Sequence, residues 1–392
     1  MNIIRNDQLE STFVDWPVYM RRAIDLAGNA IRTAPNPRVG CVLVVDQKIV
    51  GEGWHVAAGE DHAEVMALKQ AAEKAKSAIA FVSLEPCSHI GRTGPCSDAL
   101  IAAGVSHVVI ASIDPNPEVM GSGVEKLEEA GIQVTQLSDF DSLARRVNPG
   151  YFKARENGIP YVRCKLAMSL DGRTALANGA SKWISGSASR SDVQRLRAAS
   201  SAVLTGIETV LADDPSLNVR VDELNLSRDE VSRNELSLSR QPLRIVLDSH
   251  FRTPKSAKVL AEPGEVVIFG IEEGSGESSP ASNVDYRQAL EGGGRVDLLS
   301  VLESLASEYA CTDVLVEAGA TLSTALVEAG LVDELIVYVA PKLLGCDARA
   351  LLNIAGIESM SDSLEFEITD LRQIDRDIRI TLQPIGKRLE DN

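Results

Sequence analysis

No run of about 18 apolar residues occurs in the 392-residue chain, so a membrane-spanning helix is excluded. The opening MNIIRNDQLESTFVDW has no apolar stretch and carries Asp7 and Glu10, which argues against a secretory signal peptide. Basic charge is scarce: 39 Lys and Arg face 56 Asp and Glu, a formal charge of −17, so nothing draws the chain as a whole to nucleic acid. Cysteine is sparse as well. Six cysteines without a leader are expected to stay reduced in the cytoplasm, in metal or core roles rather than disulfides. No repeat recurs at a solenoid period, and no G-x-G-x-x-G follows a strand, so the Rossmann fingerprint is missing. What remains is ordinary globular composition, 44% hydrophobic and 24% charged, in a chain long enough for two or three domains.

Periodicity organises the first part into alternating elements. A helix is expected over 15–32, ending at the Pro35-Asn36-Pro37 turn, then strands over 39–45 and 49–53. A helix over 62–76, a strand over 78–84, a helix over 96–103 and a strand over 108–113 follow. A helix over 124–130 and a strand over 132–135 close the unit near 148. This alternation specifies an α/β layered domain. Asn148-Pro149-Gly150 and the polar run 153–158 read as a linker. A second α/β unit spans 161–382, with buried strands at 161–168, 203–205, 244–248, 266–269, 313–317 and 334–339. Its helices are expected at 188–199, 296–309 and 322–330. The segments 222–240 and 272–283 read as solvated loops, and the apolar stretch 332–339 as an exposed edge able to pair two copies in a homo-oligomer.

The first chemical constellation is His62-Ala63-Glu64 at a helix start, Pro86-Cys87 after a strand, and Cys96 beyond a Gly- and Pro-bearing loop. One imidazole and two thiolates make a three-ligand zinc (Zn2+) site whose fourth position is open to water. Helix N-termini favour the thiolates, and zinc acidifies its water to near neutrality. Glu64, close to the metal without binding it, is placed to carry the proton to a leaving amine. That division of labour is the H-x-E…P-C-x-x-C pattern of zinc nucleobase deaminases. Two bland readings compete: unrelated core residues, and a structural zinc with His89 as a fourth ligand. The spacing between Cys87 and Cys96 is longer than the general pattern, which argues against ordinary cytidine or tRNA-adenosine deaminases.

That longer loop carries a resemblance. Leu84-Glu85-Pro86-Cys87-Ser88-His89, then Gly91-Arg92-Thr93 and Pro95-Cys96, resembles the deaminase half of the bifunctional riboflavin biosynthesis enzymes. Pro35-Asn36-Pro37-Arg38-Val39-Gly40-Cys41, Gly51-Glu52-Gly53-Trp54-His55 and Asp114-Pro115-Asn116-Pro117 are similar too. In the second half the matching runs are 165–175, 181–184, 209–215, 316–319 and 332–335. Ile90 and Gly94 depart from the His and Pro of the family, at positions that are not ligands.

The resemblance implies a cytidine-deaminase-like α/β/α layered domain over 13–148, followed by a dihydrofolate-reductase-like α/β reductase domain over 159–385. It implies a phosphorylated pyrimidine substrate, 2,5-diamino-6-ribosylamino-4(3H)-pyrimidinone 5′-phosphate. The substrate is deaminated at C2 with Glu64 moving protons, then reduced at the ribose by NADPH. Asn36 is implied as a substrate contact, against a reading as a simple turn residue. His55 is either a pocket residue or a strand-end histidine, and Lys182 and Arg92 are either site cations or exposed charges.

In the second half, Val316-Glu317-Ala318-Gly319 followed by Ala320-Thr321-Leu322 has a strand–small residue–helix form able to hold a pyrophosphate. Arg197 and Arg220 are the phosphate candidates, since arginine presents a planar fork of donors. The resemblance implies Ser181, Leu217 and Glu317 as further substrate contacts, and Ala167, Trp183, Thr209, Asp213 and Gly319 as cofactor contacts. Lys165 sits in an apolar strand and needs a partner: an ion pair with Asp171 or Asp213, or the ribose oxygen of a substrate. Cys41, Cys164, Cys311 and Cys346 read as bystander thiols. Two rivals stay open. One is a tRNA or nucleotide deaminase whose second half only oligomerises; the other is a non-catalytic zinc-stabilised scaffold.

Overall fold

The computed structural model describes residues 2–4, 15–89, 94–272 and 283–385. The chain divides into two compact units, 1–158 with 228–239, and 159–227 with 240–392.

The first unit is built on strands β1 (Asn2–Ile4), β2 (Gly40–Val45), β3 (Lys48–Trp54), β4 (Ile79–Val82), β5 (His107–Ile110) and β6 (Gln133–Leu137). They form one sheet in the order β1-β6-β5-β4-β2-β3, parallel from β1 through β4 and antiparallel at β2 and β3. Its central strands are apolar throughout because both faces are covered. Cys41, Leu43, Ala80, Val82, Val108 and Ile110 meet helices α2 (Ala63–Ala71), α3 (Cys96–Ala103) and α4 (Ser122–Glu129). The alternate residues Val42, Val44, Phe81 and Val109 pack on α1 (Trp16–Ala27) and α5 (Asp141–Val147). The period of two thus produces three layers.

Gly53 explains how α2 is placed. A Cβ there would lie 2.4 Å from the Ala63 carbonyl oxygen, so only glycine lets the start of α2 rest on β3.

Two expectations fail here. The run 149–158, expected as a linker, is helix α6 (Pro149–Asn157), with proline in its first turn, Gly158 at φ 73° ending it, and Tyr151 and Phe152 buried. The segment 228–239, expected as part of a solvated loop, forms α8 (Arg228–Arg233) and α9 (Glu235–Leu238) within the first unit. Asn234, Ser237 and Leu238 are buried there. Composition misled because these buried polar side chains find hydrogen-bond partners.

The main sheet of the second unit has nine strands: β7 (Tyr161–Ser169), β8 (Ala202–Gly206), β9 (Leu243–Leu247), β10 (Val266–Gly270), β11 (Val284–Gln288), β12 (Asp313–Val316), β13 (Glu334–Ala340), β14 (Phe366–Ile374) and β15 (Asp377–Pro384). Their order is β11-β10-β9-β8-β12-β7-β13-β15-β14, parallel from β11 to β13, with an antiparallel hairpin at the end. β13 pairs with β7 on one side and β15 on the other. The stretch 332–339 is therefore interior, and the expected edge for pairing copies is corrected. It reads as apolar because it is buried on both sides, not because it awaits a partner. Of the second polar segment, 273–282 lies outside the described residues. Among the described residues no helix is long and apolar enough to cross a membrane.

Candidate functional site: a zinc centre and a second charged cluster

His62 is the N-cap of α2, Cys96 opens α3, and Cys87 lies in the loop after β4. Their ligand atoms lie within 4.8 Å of one another, with His62 Nδ1 3.1 Å from Cys96 Sγ and 3.6 Å from Cys87 Sγ. A tetrahedral zinc with bonds of about 2.0–2.3 Å sets its ligand atoms roughly 3.5–3.8 Å apart, so the donor set fits. The Cys96 N–H donates to Cys87 Sγ at 3.4 Å, the helix-end contact that favours a thiolate. Hydrogen bonds from Cys96 and from His62 hold the Cys87 thiol down to about 4, while Cys96 retains the proton. His89 lies exposed on the cavity lining and, among the described residues, no fourth ligand joins the cluster.

Glu64 is 2% exposed. Burial first, then the Cys87 charge, pushes its carboxyl up to about 7. It lines a cavity of about 290 Å³ together with Asn36, His55, His62, Cys87 and others. His55 is buried and neutral, its pKa lowered to about 4 by desolvation. Its Nδ1–H donates to the Asp61 carbonyl at 3.1 Å, so Nε2 accepts from Asn36 Nδ2 at 3.1 Å. Asn36 therefore keeps its carbonyl oxygen for another donor.

Tyr151, Arg155, Asp114 and Glu85 line the pocket, and none of them had a role assigned from sequence. Tyr151 and Arg155 sit four residues apart on α6 and both line the cavity. The Tyr151 hydroxyl donates to Asp114 Oδ1 at 2.9 Å, and burial raises Asp114 to about 6. Pro149 before an aromatic pair, with Gly158 after it, was the available signal for that helix. Glu85, buried in the cavity lining, accepts the N–H groups of Asp114, Gly121, Gly123 and Val124 and so sets the loop beyond β5. Arg92 lies outside the described residues.

In the second unit, α7 (Ser187–Ala199) presents Arg197 to Glu317, at the end of β12, as a bidentate pair of 2.5 and 2.9 Å. Both side chains are nearly buried. Burial would raise the Glu317 carboxyl, but Arg197 and then Lys165 more than offset it and lower it. Burial is also the main influence on Lys165, lowering it against the opposing pull of Glu317. Its Nζ sits 5.8 Å from the Tyr338 ring and, among the described residues, makes no hydrogen bond. Neither expected carboxylate partner serves it. Asp171 accepts from Ser169 and from the Leu344 and Gly345 N–H groups, and Asp213 faces Lys182. Arg220 forks onto Glu223 at 2.6 and 2.8 Å, so both phosphate candidates already hold a carboxylate.

Leu217 is 2% exposed with φ 55°; its side chain belongs to the core beside Val246 and Ile268, leaving only its backbone for a ligand. Trp183 is exposed with the Arg190 guanidinium 4.4 Å over its ring, and Ser181 is half-buried in the same loop. Ala167 packs beside Tyr338. Gly319 is the N-cap of the helix Ala320–Glu328 at φ −74°, an angle open to any residue, and a Cβ there would have only Thr209 Oγ1 near it, at 3.9 Å.

A histidine and two cysteines with a buried glutamate at the helix start, on an α/β/α sandwich, define the zinc-dependent deaminase class. Residues 17–112 match the cytidine and deoxycytidylate deaminase zinc-binding region, and residues 160–380 match the RibD C-terminal domain. The riboflavin biosynthesis protein RibD of Escherichia coli strain K12 is 48% identical over 93% of this chain and 98% of its own. A structure of Acinetobacter baumannii RibD is 47% identical with a TM-score of 0.85, covering 94% of this chain and 98% of its own. A Thermotoga maritima diaminohydroxyphosphoribosylaminopyrimidine deaminase/5-amino-6-(5-phosphoribosylamino)uracil reductase is 31% identical with a TM-score of 0.79, covering 94% and 99%. The chain belongs to the RibD family of riboflavin biosynthesis proteins.

Proposed function

We propose that this chain carries out two consecutive steps of riboflavin synthesis in the cytoplasm, with deamination in a domain spanning 13–148 and reduction in one spanning 159–385. The observation that carries the reading is Glu64, buried beside the His62, Cys87 and Cys96 cluster and lining one cavity with His62 and Cys87. The substrate of the first step is 2,5-diamino-6-ribosylamino-4(3H)-pyrimidinone 5′-phosphate, in keeping with the activity named for the Thermotoga relative.

His62, Cys87 and Cys96 would hold the zinc, which when bound would supply an acidified water to the cavity. Glu64 takes a proton at its carboxylate and delivers it to the departing C2 amine, so ammonia leaves and oxygen replaces it. The side-chain oxygen Oδ1 of Asn36 orients the substrate through a hydrogen bond, and Arg155 gives the cavity rim positive charge for the phosphate end.

In the second step the nicotinamide cofactor, read as NADPH, supplies hydride to C1′ of the ribosyl group. The chain supplies placement and charge. The helix starting after Gly319 follows the carboxyl end of a parallel strand, the crevice where α/β sheets take dinucleotides, and the space beside Gly319 suits a pyrophosphate. Trp183, Thr209, Asp213 and Ala167 border that cofactor. Lys165, with a desolvated ammonium, donates a proton to the ribose ring oxygen as the C1′–O bond opens. Ser181, Glu317, Arg197, Arg220 and the Leu217 backbone hold the substrate.

The test follows ammonia and NADPH together on the diaminopyrimidinone phosphate, with and without a zinc chelator. Both signals are expected to stop on chelation, and pre-deaminated substrate restores NADPH oxidation alone. NADPH oxidation that persists without ammonia release would overturn the order of steps. Ammonia release with no NADPH oxidation would favour a deaminase with an inert second half.

A further inference from the structure

We infer that the excursion Arg228–Ser239, which interrupts the second unit's chain but belongs to the first unit, positions the deaminase substrate loop through Asn234. The inference rests on the deaminase reading of the cavity. The loop in question leaves α1 at Gly28, carries Asn36 and enters β2 at Gly40. One asparagine side chain holds each end of it.

At the entry, Asn234 is 3% exposed and pairs with the loop backbone on both faces of its amide. Its Oδ1 accepts the Ile31 N–H at 2.8 Å, and its Nδ2 donates to the Asn29 carbonyl at 3.2 Å. At the exit, Asn148 does the same with a single residue: its Oδ1 accepts the Arg38 N–H at 2.7 Å, and its Nδ2 donates to the Arg38 carbonyl at 2.8 Å. Arg32 adds a second tie to the excursion by donating to the Ser237 carbonyl at 3.0 Å.

Between these clamps the loop is closed on itself. The Asn36 N–H donates to the Thr33 carbonyl at 3.1 Å, and Thr33 Oγ1 donates to the Asn36 carbonyl at 2.9 Å. The Asn36 side chain then reaches His55 Nε2 at the cavity wall. Only a primary amide offers both a donor and an acceptor in this geometry, so Asp keeps half of the clamp and Leu keeps none. Asn234 touches neither substrate nor metal. It is a positioning residue, and it acts through Asn36, a binding group that is neither a metal ligand nor the proton carrier. Its loss should weaken ground state and transition state alike, a KM effect.

The experiment compares full-length Asn234→Asp and Asn234→Leu with the parent chain. The KM for the diaminopyrimidinone phosphate is expected to rise by roughly three- to ten-fold in Asn234→Leu, and less in Asn234→Asp, for one or two buried neutral hydrogen bonds. The kcat for ammonia release, the zinc content and NADPH oxidation with pre-deaminated substrate should hold in both, which shows the chain is folded. Amide exchange across 28–37 should quicken in Asn234→Leu, with protection of the Ile31 N–H kept in Asn234→Asp. Parental KM in both variants despite faster loop exchange would overturn the inference. So would a fall of kcat and zinc content accompanying the rise in KM, which marks a merely structural residue. If the parent chain releases no ammonia, it is the deaminase reading that fails, and the exchange data still report whether Asn234 clamps the loop.

Discussion

Replacing Glu64 by Gln tests the deaminase chemistry at the point where the structure makes the sharpest demand. The side chain is 2% exposed, so a charged carboxylate is costly there and its pKa climbs to about 7. Gln matches Glu in size and polarity but cannot take up and release a proton. Proton transfer by a positioned side chain contributes about 10²–10⁴-fold, so kcat/KM for ammonia release should fall by that factor, about 3–5 kcal/mol of transition-state stabilisation. Glu64 is not among the ligand atoms of the cluster, so zinc content should stay at the parental level. Reduction of pre-deaminated substrate should be untouched.

The pH profile adds an independent sign. Glu64 must start deprotonated, so kcat/KM should rise with pH through its pKa. That acid limb should lie at or below pH 7, because a divalent cation beside the carboxyl stabilises its charged form and pulls the pKa down. In the Gln variant this limb should disappear. Parental ammonia release from Glu64→Gln would refute the assigned role, and loss of zinc would show that Glu64 is a ligand instead.

Cys96→Ala should abolish zinc binding and deamination, read by metal analysis and ammonia assay, while NADPH oxidation with pre-deaminated substrate survives; retained stoichiometric zinc would overturn the ligand assignment. Arg197→Ala strands the buried Glu317 charge and should destabilise the second unit by roughly 3–5 kcal/mol in urea unfolding; a loss well under 1 kcal/mol would mean the pair is solvated. Because the folded Glu317 pKa is lowered, the pair's contribution is present above the ordinary carboxylate range near pH 4.3 and should fade as pH falls below it, measurable as a pH-dependent gap between parent and variant. Gly53→Ala pushes a methyl into the Ala63 carbonyl and should displace α2, lowering zinc affinity and thermal stability together; unchanged zinc affinity would show that α2 absorbs the shift.

Much of this was written locally in the sequence. Near-continuous apolar runs along 40–45, 79–82 and 107–110 specify strands covered on both faces, and the helix starts near 62 and 96 were legible as well. His62, Glu64, Cys87 and Cys96 were recognisable because metal chemistry demands a particular residue set near helix starts, a local constraint. What local pattern could not decide was partnership between distant segments. Arg197 and Arg220 looked like free phosphate binders, yet Glu317 and Glu223 hold them, and for Arg197 the partner lies 120 residues away at the end of β12. The stretch 332–339 looked like an edge until β15 arrived from beyond it to pair with β13. Tyr151 and Arg155 passed for residues of a linker region because the cavity they line is completed by other elements. Asn234 passed for loop because its partners, Asn29 and Ile31, lie some two hundred residues away. Periodicity and ligand chemistry are properties of neighbours in the chain. Whether a polar group is free or satisfied depends on what the fold brings against it, and that was decided only in three dimensions.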